Sequence, residues 1–168
     1  MFLNMVIERN PQLIIEAAKL HRDGVIEPNT YVLDVDGIYE NAKLVKETAD
    51  KYNISLYYMT KQFGRNPIIS KTIEKAGIDK AVAVDFDEAK VLHSNGLKIG
   101  HIGHLVQVPK NYIKLSLLMK PEVITCFSYE KAKEISDKAR ELGITQDILL
   151  RVIDEEDVIY PGRMVVYI

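Results

Sequence analysis

Short apolar runs alternate along this chain with longer stretches in which apolar residues recur at helical spacing. Ile38, Ala42, Val45, Ala49 and Tyr52 fall four, three, four and three residues apart, one face of a helix. The β-rich run Tyr31–Asp34 precedes it, and Ser55–Thr60 follows as the next strand candidate. Asn66-Pro67 reads as a helix start, with Asn as the cap and Pro in the first turn. Ile69, Ile73 and Ala76 form that helix's apolar face, and Gly77 ends it.

The pattern then repeats. Ala81–Val84 predicts a strand, and Asp85 or Asp87 can cap a helix running through Ala89 and Leu92 to Gly96. Lys98–Ile102 predicts a strand, Leu105–Val108 another, and Pro109 opens a helical stretch to about Met119. Val123–Cys126 is a strand. Ser128 caps a helix with Ala132, Ile135, Ala139 and Leu142 on one face, closed by Gly143, and Ile148–Ile153 is the last clear strand. Strands that alternate with helices and are apolar throughout predict βα units around a parallel sheet, in a (β/α) barrel or an open sheet. We expect one domain, with residues 1–30 as an N-terminal helical extension and 31–162 as barrel units. The acidic loop Asp154–Asp157 and the sequence MVVYI after Pro161-Gly162 suggest a truncated chain, with about five of the eight strands of a closed barrel.

Composition narrows the function. The chain has 168 residues, is 47% hydrophobic and 27% charged, and carries a formal charge of −2. It can bury a core, and it lacks the basic excess of a nucleic-acid or membrane surface. No run of eighteen apolar residues suggests a membrane span, and the charges at Glu8 and Arg9 argue against a signal peptide. A single cysteine, Cys126, makes no internal disulfide and reads as a small buried hydrophobe. A soluble cytoplasmic protein is the expectation.

Four places carry candidate chemistry. Lys61 ends an apolar strand, where ligands bind in α/β folds, and burial there would make its amine a nucleophile toward a carbonyl. Gly64 permits a tight turn, Arg65 can hold a phosphate or carboxylate, and the helix starting at Asn66-Pro67 offers free N–H groups to an anion. The alternative is a solvated strand-end lysine. His101 and His104 are separated by Ile-Gly. Residues three apart on a strand face opposite sides, so no shared metal is expected; one histidine lines the mouth of the sheet and the other is packed or exposed. His21 and His93 belong on helix surfaces. Asp34-Val35-Asp36-Gly37 after an apolar run is similar to the first motif of haloacid-dehalogenase-type phosphatases, whose two aspartates work with magnesium. The simpler reading makes Asp36 a helix N-cap. Arg151, inside the apolar run ILLRVI, needs an acceptor if it is buried.

Taken together, the strand ending in Lys61, Phe86-Asp87-Glu88-Ala89 after AVAVD, Ile102-Gly103-His104-Leu105-Val106-Gln107, and LLRVID resemble the N-terminal barrel of the alanine racemase family, fold-type III pyridoxal-phosphate proteins. The stretch MTKQFGRNP around Lys61 is similar to the YhfX-like group of predicted amino-acid racemases. The IGHLVQ stretch is similar to a segment of the pyridoxal-phosphate homeostasis proteins. The resemblance spans about residues 30–162. It implies an α/β fold, an incomplete TIM-type barrel, with pyridoxal 5'-phosphate held as a Schiff base on Lys61 at the end of the first barrel strand and Tyr31–Asp34 pairing elsewhere. It puts Arg65 where alanine racemases carry a tyrosine that touches the cofactor phosphate, His104 and Gln107 near the cofactor, and Arg151 where a basic residue lies beneath the ring. The implied function is racemisation of an amino acid by removal and return of its α-proton, with Lys61 the catalytic base on one face. The second base would come from a further domain across a homodimer. The alternatives are a non-catalytic pyridoxal-phosphate carrier of the same fold and the phosphatase using Asp34 and Asp36.

Overall fold

The computed structural model describes residues 2–152. They fall into two compact units that divide between Ile38 and Tyr39. Helices α1 (Phe2–Arg9) and α2 (Pro11–Arg22) make up most of the first unit. Asn10 caps α2: its side-chain oxygen accepts from Leu13 N at 3.2 Å, and its amide nitrogen donates to Asp34 Oδ2 at 2.8 Å. Asp34 in turn accepts from Gly37 N at 2.9 Å and caps α3 (Val35–Lys51). The cap is therefore Asp34, not Asp36. These bonds to Gly37 and Asn10 hold the Asp34 carboxyl below the usual carboxylate range.

Tyr31–Asp34 is not a strand. It has β propensity but no ladder partner among the described residues, and Tyr31 is almost fully exposed. This also corrects the expectation that the segment pairs elsewhere.

The second unit holds one parallel sheet in the order β1-β2-β3-β4-β5. Its strands are β1 (Tyr58–Met59), β2 (Ala81–Ala83), β3 (Ile99–Ile102), β4 (Val123–Cys126) and β5 (Asp147–Leu150). Helices α4 (Pro67–Lys75), α5 (Phe86–Ser94), α6 (Ile113–Leu118) and α7 (Tyr129–Glu141) alternate with them. Every strand lies next to its predecessor, and the order never reverses. A doubly wound open sheet needs such a reversal, whereas a barrel grows in one direction. The described strands thus form an incomplete (β/α) barrel.

The core lies between strands and helices. Ala81, Ala83, Ile102, Ile124 and Cys126 are buried with Leu92, Leu117 and Ile135. Burial pushes the Cys126 thiol pKa up, as suits a packed small side chain. Two expectations are corrected here. Leu105–Val108 is a loop, in which Val108 is buried as an anchor rather than as part of a strand. The last strand stops at Leu150, so Arg151 follows it, and Asp154–Asp157 and MVVYI lie outside the described residues.

Candidate functional site at the carboxyl ends of the strands

Lys61 directly follows Thr60 at the carboxyl end of β1. It opens a 3-10 turn, Lys61–Phe63. Gly64 at φ +64 and Arg65 at φ +61 then reverse the chain in two left-handed steps. Gly64 takes that conformation without a Cβ penalty, whereas Arg65 is held there at a cost of about 1 kcal/mol. Thr60 O accepts from Phe63 N at 3.3 Å and from Arg65 N at 3.1 Å, which closes the turn.

The Lys61 side chain is exposed, so the expected burial of its amine is not found. It makes no side-chain hydrogen bond or ion pair among the described residues. The N–H groups that open α4 are not left for an anion either. Asn66 Oδ1 takes Ile68 N at 2.9 Å and Ile69 N at 3.4 Å, and Pro67 has no N–H to offer.

A buried carboxylate ties this turn to its neighbour. Asp85 caps α5 by accepting from Glu88 N at 2.8 Å. The Glu88 side chain, fully buried, turns back over the strand ends. Its Oε2 accepts from Val84 N at 2.6 Å, and its Oε1 accepts from the Thr60 hydroxyl. Arg65 Nε forms an ion pair with the same Oε1 at 3.2 Å. Arg65 therefore has a carboxylate partner within the chain, and its side chain stays 42% exposed. Asp85-x-x-Glu88 has the spacing of a capping box, but Glu88 reaches Val84 N instead of closing on its own cap.

At the end of β3, Gly103 at φ +86 bends the chain, so the two histidines come together rather than facing apart. Their rings meet edge to face with centroids 5.6 Å apart. His101 is buried and paired with the Thr125 hydroxyl, and His104 is exposed. Burial, and secondarily the charge of His104, lowers the His101 pKa below the ordinary histidine value. No group of three metal-ligating side chains stands close enough to hold a metal among the described residues.

His104, Leu105, Thr125, Leu149 and Arg151 line an open hollow of about 260 Å³. Arg151 places its guanidinium 5.4 Å from the Phe127 ring centroid, and its N–H donates to Cys126 O at 2.9 Å, extending the ladder past β5. Gln107 is committed elsewhere: its Oε1 accepts from Phe127 N at 3.1 Å and ties the β3–α6 loop to the end of β4. Of the residues expected at the site, the hollow thus joins His104 and Arg151. Lys61 and Arg65 stand at the carboxyl end of β1, with β2 between them and the strands that line the hollow, and Gln107 acts as a brace. Thr60, Glu88, His101 and Thr125 are additions that the sequence reading did not place in the site.

A family model described as "Alanine racemase, N-terminal domain" matches residues 33–154. The chain belongs to this family. Members share the barrel fold described above. The chain is 43% identical over 163 residues to "Uncharacterized protein YhfX" of Escherichia coli (strain K12), an alignment that takes in 97% of this chain and 42% of that relative. The chain thus spans less than half the length of that relative. Among solved structures, D-threonine aldolase from Filomicrobium marinum superposes with a TM-score of 0.62 at 15% identity, over 82% of this chain and 38% of that one, and shares the fold. An alanine racemase of Clostridium difficile 630 in complex with cycloserine aligns over 57% of this chain and 25% of that one, at 22% identity and a TM-score of 0.49. Membership of this family leaves the phosphatase alternative without support: Asp34 follows no strand and is occupied as a helix cap.

Proposed function

We propose that this chain binds pyridoxal 5'-phosphate covalently through Lys61 and forms the cofactor-holding part of an amino-acid racemase. The observation that carries the reading is Lys61 itself. It is an exposed amine with no side-chain partner among the described residues, at the carboxyl end of the first strand of an alanine-racemase-type barrel. Ligands bind at that end of such barrels.

The residues at the carboxyl ends of the strands fit a planar, anionic aldehyde. Lys61 Nζ would hold its carbonyl carbon covalently, the aldehyde oxygen leaving as water. Arg65 and Arg151 are cations at the strand ends, and the carboxylate buried beside Lys61, Glu88, is already saturated with donors. When bound, the cofactor supplies an electron sink for the charge left by loss of an α-proton. Lys61 Nζ would be the base that takes that proton on one face. His101, kept neutral by burial, can accept or donate a hydrogen bond through the Thr125 hydroxyl without adding charge. The proton returned on the opposite face comes, in this reading, from a homodimer partner.

The test is exchange of amino-acid α-protons with solvent deuterium, in the presence of pyridoxal phosphate, by the wild-type chain and Lys61→Ala. Exchange that depends on Lys61 supports the racemase reading. Cofactor capture without exchange assigns the chain to cofactor carriage, and exchange that survives Lys61→Ala overturns the reading.

A further inference from the structure

We propose that Glu88 is the positioning residue of the Lys61 site, a buried carboxylate that staples both ends of the turn presenting the amine. Glu88 belongs to α5, a different βα unit from Lys61. Yet it takes the hydroxyl of Thr60, the residue immediately before Lys61, and the guanidinium of Arg65, the residue that ends the reversal after it. Its other oxygen takes Val84 N at 2.6 Å, fixing the carboxylate to the end of β2. The six-residue turn from Thr60 to Arg65 is thereby tied to the neighbouring strand at its first and last residues, while Lys61 between them stays exposed.

A structural purpose alone accounts poorly for this arrangement. Asp85 already provides the N-cap of α5. A fully buried carboxylate is costly unless paired, and here every partner beyond Val84 N belongs to the Lys61 turn. Arg65 also holds a left-handed conformation that glycine would adopt more easily, and its ion pair to Glu88 offsets that strain. Gln at position 88 keeps the shape but has one acceptor oxygen and no charge. It cannot satisfy Val84 N, Thr60 and Arg65 together.

The role as a site residue rests on the cofactor reading above, so the experiment separates the two. Glu88→Gln is compared with Asp85→Ala, which weakens the same helix start without touching the Lys61 turn. Both are studied well below their melting temperatures. The first readout needs no cofactor: amide hydrogen exchange at Phe63 and Arg65, whose N–H groups close the turn on Thr60 O. Glu88→Gln is expected to speed exchange there by at least about tenfold, the loss of one charge-assisted bond, and Asp85→Ala to leave it unchanged. The second readout is the rate at which pyridoxal phosphate is captured by Lys61, expected to fall about tenfold in Glu88→Gln and to hold in Asp85→Ala. The Arg65→Gln effect on capture should shrink in the Glu88→Gln background, because the two residues act as one unit.

If exchange at Phe63 and Arg65 is indifferent to Glu88→Gln, or changes equally in Asp85→Ala, the inference is overturned. If exchange behaves as expected but wild-type protein captures no cofactor on Lys61, the stapling stands and the cofactor reading falls.

Discussion

Gly100→Ala is a sharp test of how the barrel sheet is held at its amino edge, away from Lys61. Gly100 sits in β3, and a Cβ built on it collides with the Tyr57 ring and comes within 3.0 Å of Lys80 Cβ. Tyr57 is no free rotor. Its hydroxyl donates to Glu122 Oε2 at 2.7 Å, Lys80 Nζ pairs with that oxygen at 2.8 Å, and the ammonium lies 5.5 Å from the Tyr57 ring centroid. The bond to Glu122 raises the Tyr57 pKa, and Lys80 and Tyr57 together lower that of Glu122. The added methyl forces the ring outward. Overpacking costs about 1–3 kcal/mol and the lost hydrogen bond about 1 more, so the variant should lose about 2–4 kcal/mol. For a chain of this size that is a fall in Tm of about 4–16 °C. The assay is a double-mutant cycle with Tyr57→Ala, followed by denaturant or thermal unfolding. With the ring gone, Gly100→Ala should cost less than about 1 kcal/mol, leaving a coupling of at least about 1 kcal/mol. Penalties that add to within about 0.5 kcal/mol would refute the collision as the cause. Lys61 chemistry should be unaffected, because the two clusters lie at opposite ends of the strands.

Two further outcomes follow from the described contacts. His101 is neutral in the fold, and its pKa lies below that of the unfolded chain. The unfolded state therefore takes up a proton first, and stability should fall as pH drops below about 6.5 toward the folded value. His101→Asn should flatten that part of the stability–pH curve, measured by thermal unfolding, and an unchanged slope would contradict the burial. Asn66→Ala removes the acceptor for Ile68 N and Ile69 N at the start of α4 and should cost about 1 kcal/mol in denaturant unfolding; an unchanged midpoint would show that the cap contributes nothing.

The elements that could be read from the sequence are those whose local signals agree with their tertiary setting. Val123–Cys126 is bounded as expected because a buried strand between turn residues leaves little choice. The caps at Asn66 and Ser128, and Asp85 as one of two candidates with Asp87, are visible for the same reason: an Asn, Asp or Ser side chain meets the first orphan N–H groups locally. Tyr31–Asp34 and Leu105–Val108 mislead because β propensity describes a residue's fit to a sheet and is silent on whether a partner strand exists. The site divides along the same line. Lys61 at a strand end is legible, since strand position follows from pattern. Its exposure is not, and neither is Glu88, whose meaning arises only when residues 60, 65, 84 and 88 are brought together. The capping-box spacing of Asp85 and Glu88 is a weak clue, and it points to the wrong donor, Asp85 N instead of Val84 N. One histidine at the mouth and one packed is found, but the two do not face opposite sides, because strand alternation stops at Gly103, whose positive φ breaks it.

The central claim is that Lys61 is the cofactor lysine, and chemical trapping tests it directly. Purified protein is mixed with pyridoxal phosphate, reduced with borohydride, digested and mapped by mass spectrometry. Selective labelling of Lys61, with a visible absorption band before reduction and neither band nor label in Lys61→Ala, is the predicted result. Folded protein that shows no label, or label spread over the surface lysines with Lys61 unmarked, would contradict it.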